Sequence, residues 1–477
     1  MIGKASVTGK MVLVGKLVLQ TPLIIGGGSD EQGESDIVVL KDELGMPYIP
    51  GTSMAGCFRH HFFRSDWSHK SEKFQQHIHY FWGTSPKKAD SKKSDESKGY
   101  QSAIQINDAY LSPGQQAKIR LRDGVKIDTE TGIAQDKMKF NYECVEPEVS
   151  FDFRMECTIR GFSERESYRY IMAWLKTVLT NGEIRLGAMT GKGFGRCRLE
   201  DPQFYEFNFD KPYHVLAWLK NDITAWLPVE LNSVEDHSQN SKTFSIEAYF
   251  SIKNSLIIRS YAEEISSPDA VHISRGNQAL MPGTSVRGAI RARAERIIKT
   301  LNGSEKDFIH PLFGWVPTPP DDKEQDAIRG KIIVEETVID SAYLVREIQK
   351  RIRIDRFTGG AMKGGLFDSL PLWKSGTEDQ EMVQIKLTIE EYQPWEAGLL
   401  LLVLKDLWNG DLAIGGERSI GRGTLQGIKA VISFEGREII LNEGNKPLVS
   451  AKDAAVLENM LQNLLDEIKL RSKGVSA

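Results

Sequence analysis

Residues 11–26 and 243–258 alternate apolar and polar side chains, the period-two pattern of a strand with one buried face. Each opens one half of the chain. A helix is predicted soon after each, starting at a Pro-Gly-Thr-Ser step, with Thr52/Ser53 and Thr284/Ser285 as the expected N-caps. A later helix is predicted from Ser163, where Glu166 completes a capping box. Its Tyr168, Ile171, Met172, Leu175, Val178 and Leu179 recur at helical spacing and belong in the core. The counterpart, Trp395 to Trp408, is apolar on every side, which predicts deeper burial. A last amphipathic helix, from about Ala451 to Leu470, has no counterpart and is expected to dock on a neighbour.

The two halves repeat one another. Pro50-Gly51-Thr52-Ser53-Met54-Ala55-Gly56-Cys57-Phe58-Arg59 returns about 230 residues later as Pro282-Gly283-Thr284-Ser285-Val286-Arg287-Gly288-Ala289-Ile290-Arg291. Ile78 to Gly83 answers Ile309 to Gly314, and Ile104 to Asp108 answers Ile332 to Glu336. Val125-Lys126-Ile127-Asp128 with Thr131-Gly132 answers Ile352-Arg353-Ile354-Asp355 with Thr358-Gly359. Asn181 to Gly195 answers Asn409 to Gly423. Five weak matches in one order and at a near-constant offset mark a duplicated domain. Each half reads strand, helix, strand, long hairpin, helix, glycine loop, strand. That order fits an α+β fold, a ferredoxin-like or RRM-like βαββαβ core with a hairpin insertion. The expected boundaries are 1–235, 243–440 and a helical extension at 445–477, joined by a polar linker near 229–242. The Lys/Ser/Asp-rich stretch 85–99 and the Pro/Asp-rich 317–330 read as surface loops.

Composition narrows the function only a little. The length of 477 residues suits two main domains, and a net charge of -4 gives no global pull on polyanions, though a local basic groove would suffice for nucleic acid. Cys57, Cys144, Cys157 and Cys197 are scattered without a C-x-x-C pair, which points to a reducing, cytoplasmic setting and away from a disulfide or zinc framework. No apolar run is long enough to span a bilayer and no secretory signal is evident, so no membrane partner is expected. The glycine loops Gly187 to Gly195 and Gly415 to Gly423 could cradle phosphate, with Lys192, Arg196, Arg418 and Arg422 supplying charge, or simply close the fold as tight turns. They do not match a nucleotide-hydrolysing P-loop. His79 and His310 sit in apolar stretches and read as core histidines.

These segments together resemble the RAMP superfamily of CRISPR-associated proteins. The resemblance lies in the opening G-G-G-S…D…Y-I-P-G-T-S-x-x-G-x-x-R, the hairpin motif V-K-I-D-x-x-T-G-x-A and the L-G-x-x-x-G-x-G-F-G near the first domain's end. Within that superfamily the chain looks most like backbone subunits of type III effector complexes, here as a tandem fusion of the type III-D-like kind. The resemblance implies two RAMP domains that hold a guide crRNA along a filament beside other type III effector subunits. Each domain would push a β-hairpin thumb between nucleotides. Target RNA paired to the guide would be cut beside each thumb by a loop aspartate with Mg²⁺ or Mn²⁺.

Carried onto this sequence, the catalytic and metal-binding positions are Asp36 and, with a one-residue gap and no glycine triplet, Asp269; Asp30 and Glu34 are nearby competitors of Asp36. Ser53 and Ser285 would meet phosphate at a helix N-terminus, with Arg59, Arg287 and Arg291 reaching the same backbone. Lys126 and Arg353 would contact RNA from the thumbs, and Lys192, Arg196, Arg418 and Arg422 from the glycine loops. The alternative is a non-catalytic crRNA-binding scaffold of the same complex. A guide-processing endonuclease of the superfamily ranks last, because no histidine sits in an obvious loop.

Overall fold

A computed structural model describes residues 6–28, 35–65, 67, 70–84, 99–161, 164–232, 242–260, 268–317, 327–443 and 449–474. Asp30, Glu34, Ser163, the stretch 85–98 and most of the stretch 317–330 lie outside them. The chain forms two compact units. One comprises residues 1–126, 136–190 and 194–240; the other comprises 127–135, 191–193 and 241–477.

The first unit contains β1 (Gly9–Leu19), α1 (Gly51–Arg64), α2 (Glu72–Trp82), β2 (Ile104–Ile106), β3 (Ile119–Ile127) and β4 (Ala134–Val145) apart from their tip residues within 127–135, β5 (Ser150–Ile159), α3 (Arg165–Thr180), β6 (Cys197–Asn208) and α4 (Pro212–Lys220). Its four-stranded sheet has the order β2-β5-β1-β6, and all its pairs are antiparallel. With α1 and α3 as the crossovers this is the ferredoxin-like βαββαβ arrangement. Met11, Leu13, Leu17 and Leu19 of β1 share one buried cluster with Phe58 and Phe62 of α1 and Trp174 of α3. β3 and β4 form a two-stranded hairpin inserted between β2 and β5. Its Leu121, Val125, Ile127, Ile133 and Met138 are exposed.

The second unit repeats the plan with β7 (Phe244–Ile252), β8 (Ala270–His272), α5 (Gly283–Thr300), β9 (Ile332–Val334), β10 (Gln349–Ile354), β11 (Ala361–Leu370), β12 (Val383–Ile389), α6 (Pro394–Asn409), β13 (Leu425–Phe434), β14 (Arg437–Asn442) and α7 (Ala451–Gly474). Its sheet order is β9-β12-β7-β13-β14, the same core with one more edge strand. β10 and β11 form the matching hairpin, with Ile352, Ile354, Leu366 and the wholly exposed Phe357 on its surface.

Three expectations are corrected. The N-caps of α1 and α5 are Pro50 and Pro282 rather than the Thr-Ser pair, which lies within the first turn, and neither helix start has a side-chain cap bond. The glycine after each proline explains the motif. A side chain at Gly51 would come within 2.1 Å of the Ile106 carbonyl oxygen, and one at Gly283 within 2.4 Å of that of Val334, so each helix begins in backbone contact with the second core strand. Second, His79 is exposed; His77 is the buried histidine, bonded to Ser167 Oγ at 2.8 Å, and burial lowers its pKa. Third, α7 docks on its own unit. It buries Met460, Leu464 and Ile468 in the second core, and a side chain at Gly398 of α6 would lie 2.3 Å from the Met460 carbonyl oxygen. That cover is why α6 can be apolar all round.

Candidate functional site

The loop aspartates occupy equivalent places. Asp36 lies one residue before Ile37, which bridges in parallel to Tyr142 on β4. Asp269 lies one residue before Ala270, which pairs in parallel with Ser369 on β11. Each aspartate exchanges two hydrogen bonds with the hairpin strand. The Asp36 N–H donates to Asn141 Oδ1 at 2.9 Å, and the Asn141 N–H donates to Asp36 Oδ2 at 2.9 Å. The Asp269 N–H donates to Asp368 Oδ1 at 2.8 Å, and the Asp368 N–H donates to Asp269 Oδ2 at 3.0 Å. Both aspartates are exposed, and Oδ1 of each has no hydrogen-bond partner among the described residues. Asn141 and Asp368 were missed from the sequence. They stand at the same offset as the hairpin motifs, so extending that alignment along the strand finds them.

The first turns of α1 and α5 carry Ser53 and Ser285. The N-terminus of α1 is partly engaged from within, since the Gly51 N–H donates to Asp108 Oδ1 at 2.8 Å. Arg59 is exposed and lies 5.6 Å from the Phe63 ring centre. Much of the basic surface of α5 is committed internally. Arg287 donates to the Phe313 carbonyl at 2.9 Å and Arg291 to that of Gly314 at 3.2 Å, while Arg291 also pairs with Glu295 at 2.8 Å and Arg293 with Asp406 at 2.6 Å. Burial lowers the Arg287 pKa to about 10, aided by Arg291. Lys192, a member of the same unit, is lowered by burial and then by Arg287. Arg287 Nε is buried without a partner among the described residues. Half-buried like charges with an unmet donor favour an anion.

Between Ser53 and Arg59, and between Ser285 and Arg291, lie Gly56 and Gly288. Both are exposed in mid-helix, and a side chain at either would meet nothing within 4 Å. Their lack of a side chain serves no packing among the described residues.

The hairpin tips are built by their aspartates. Asp128 Oδ1 accepts from Thr131 N and Thr131 Oγ1, each at 2.8 Å, and from Glu130 N at 3.1 Å. The Thr131 backbone bond and then its side-chain bond hold the Asp128 carboxyl below its usual range. Asp355 accepts in the same way from Phe357 N at 2.7 Å. Lys126 and Arg353 are exposed beside these turns.

The glycine loops are closures. At Gly195 (φ +79°) a side chain would come within 1.8 Å of the Leu186 carbonyl oxygen, and at Gly423 (φ +78°) within 2.0 Å of that of Ile414. Their N–H groups donate at 2.8 Å to the carbonyls of Pro22 and Ser255, so these donors are not open to phosphate. Arg196 donates Nε to the Gly182 carbonyl at 3.2 Å, and Arg418 is exposed. Arg422 is only 2 % exposed; it lies 5.0 Å from the Trp373 ring centre, bonds Gln349 of β10 and pairs with Glu417 at 2.8 Å. In the first unit the charge sits on the other side of this joint. Arg122 of β3 lies 5.6 Å from the ring centre of Phe194 in the loop and pairs with Glu146 at 3.3 Å. Arg422 therefore braces the hairpin base, a place the sequence had offered to RNA.

The donor set fits a magnesium-type ion only in part: a hard carboxylate oxygen is open in each loop, and such ions are commonly held by one or two carboxylates together with substrate phosphates. Among the described residues no group of three or more His, Cys, Asp or Glu could hold a metal by itself. No described helix is long and apolar enough to cross a membrane.

The RAMP superfamily model matches residues 16–198 and 250–426, one stretch in each half. No curated protein matches the chain. The chain belongs to the RAMP superfamily, whose members are associated with CRISPR crRNA-binding complexes and some of which are ribonucleases in type III complexes.

Proposed function

We propose, taking membership of the RAMP superfamily as the premise, that the chain is a tandem backbone subunit of a type III-like effector complex. It holds guide crRNA along two adjacent positions of a filament and cleaves paired target RNA at Asp36 and Asp269. The observation that carries guide binding is the repeated exposed mid-helix glycine, Gly56 of α1, with exposed Arg59 beyond it, and Gly288 of α5. A mid-helix glycine costs about 0.5–1 kcal/mol relative to alanine, and here no neighbour among the described residues needs the space. An RNA backbone lying close to the helix would need it. Exposed Lys126 and Arg353 on the hairpins add charge, and the exposed apolar tips suit insertion between bases.

Cleavage rests on the paired loops. Asp36 and Asp269 each keep one carboxylate oxygen open beside the hairpin stem, and would hold Mg²⁺ or Mn²⁺ together with the scissile phosphate. The ion would supply charge neutralisation at the phosphate and an acidified 2′-hydroxyl. The other carboxylate oxygen is engaged in backbone bonding, which keeps alive the second reading, a scaffold in which these aspartates only fasten a loop.

Gly56→Ala and Gly288→Ala test the guide-binding half. Each is expected to raise fold stability by about 0.5–1 kcal/mol in chemical denaturation. Each should weaken guide-RNA binding by roughly tenfold at fixed salt, the worth of about one charge-assisted hydrogen bond. Unchanged binding in both variants would remove this face from the interface.

A further inference from the structure

We propose that Asn141 and Asp368 are positioning residues for the loop aspartates, so that the hairpin stem sets where each carboxylate stands. This rests on the reading of Asp36 and Asp269 as cleavage groups and adds what holds them.

Asn and Asp are poor strand formers, yet one of each stands at the equivalent position of β4 and β11. An amide and a carboxylate have different charges and different donors. What they share is an acceptor oxygen on a short stem. In both units that oxygen takes the N–H of the loop aspartate, at 2.9 Å in the first and 2.8 Å in the second. The return bond, from the strand N–H to the aspartate Oδ2, fixes the side chain as well as the backbone. The closed pair therefore removes the rotamer freedom an exposed aspartate would otherwise have. It leaves the same oxygen, Oδ1, open in both units.

A parallel bridge one residue further on continues the contact, from Ile37 to Tyr142 and from Ala270 to Ser369. The loop thus rides on the hairpin strand. A hairpin seated between nucleotides would bring its carboxylate into place in the same movement. Two loops of dissimilar sequence reach this arrangement, Gly26-Gly27-Gly28 preceding one and Ser266-Ser267-Pro268 the other. The shared acceptor, rather than the loop sequence, is the constant feature.

The test uses the assembled complex with guide, matched labelled target and Mg²⁺, following each cut separately under single-turnover conditions with saturating complex. Asn141→Ala should slow the cut that depends on Asp36 by about 10²-fold, the effect of a displacement near 1 Å. Target affinity and the cut that depends on Asp269 should not change. Asn141→Asp keeps the acceptor and should restore cutting close to the parental rate. Asp368→Ala and Asp368→Asn should behave likewise toward the other cut, and they stand in if Asn141→Ala does not fold. Parental cutting by both alanine variants, while Asp36→Ala and Asp269→Ala each lose their cut, overturns the positioning role alone. So does an Asn141→Asp variant as slow as Asn141→Ala. Persistence of both cuts in Asp36→Ala and Asp269→Ala overturns the underlying reading, and this proposal with it.

Discussion

Asp36 and Asp269 each exchange two hydrogen bonds with a hairpin strand and keep one carboxylate oxygen open, the oxygen the proposed chemistry uses. Asp36 and Asp269 could be matched only through a gap, because their loops share no glycine pattern; the strand each loop joins makes the match plain. Arg422 looked like a phosphate contact because charge in a glycine loop is visible in sequence and burial is not. His272 was not singled out, yet it joins the strand that begins beside Asp269. Its Nδ1 accepts from the Ile258 N–H at 3.1 Å and its Nε2 faces the Leu280 carbonyl at 2.9 Å, which fixes a neutral tautomer. Burial lowers its pKa from 6.5 to about 4. The unfolded chain therefore binds the extra proton first as pH falls. Stability from this group is complete above the unfolded value and is lost progressively as pH drops from 6.5 toward 4. Denaturation of the second unit should show a loss of about 2 kcal/mol between pH 7 and pH 5 from this histidine. A His272→Gln variant should lack that slope; an equal slope in variant and parent would assign it elsewhere.

At the scale of elements, periodicity served well wherever burial has one side. The β1 and β7 alternation and the α3 stripe all face their cores. Helix starts were less legible, because Thr-Ser reads as a cap while the decisive contact is a glycine against the backbone of a strand distant in sequence. The terminal helix was visible, but its docking surface was not, since an all-apolar α6 does not say what covers it. At Gly398 the backbones of the two helices are in direct contact. Gly398→Ala should push α7 away and lower the melting temperature by several degrees, for a cost of about 1–3 kcal/mol of overpacking. A variant as stable as the parent would mean that α7 shifts freely, contrary to tight docking.

For the whole molecule, the repeat was the most informative property of the sequence. It implied two copies of one α+β core, and both units have the same strand order with a hairpin inserted before the third core strand. The net charge of -4 says nothing against the proposed RNA binding, because a locally placed basic surface is enough for it. On the proposed reading each unit contributes one cutting carboxylate to one RNA-bound particle. The decisive measurement maps target-RNA cuts in the assembled complex with Mg²⁺ for the parent, Asp36→Ala, Asp269→Ala and the double variant. Loss of one discrete cut in each single variant and of both in the double, with target binding retained and chelation of the metal reproducing the double variant, is the predicted result. Both cuts persisting in the double variant would rule out cleavage by these aspartates and leave the chain a guide-binding scaffold.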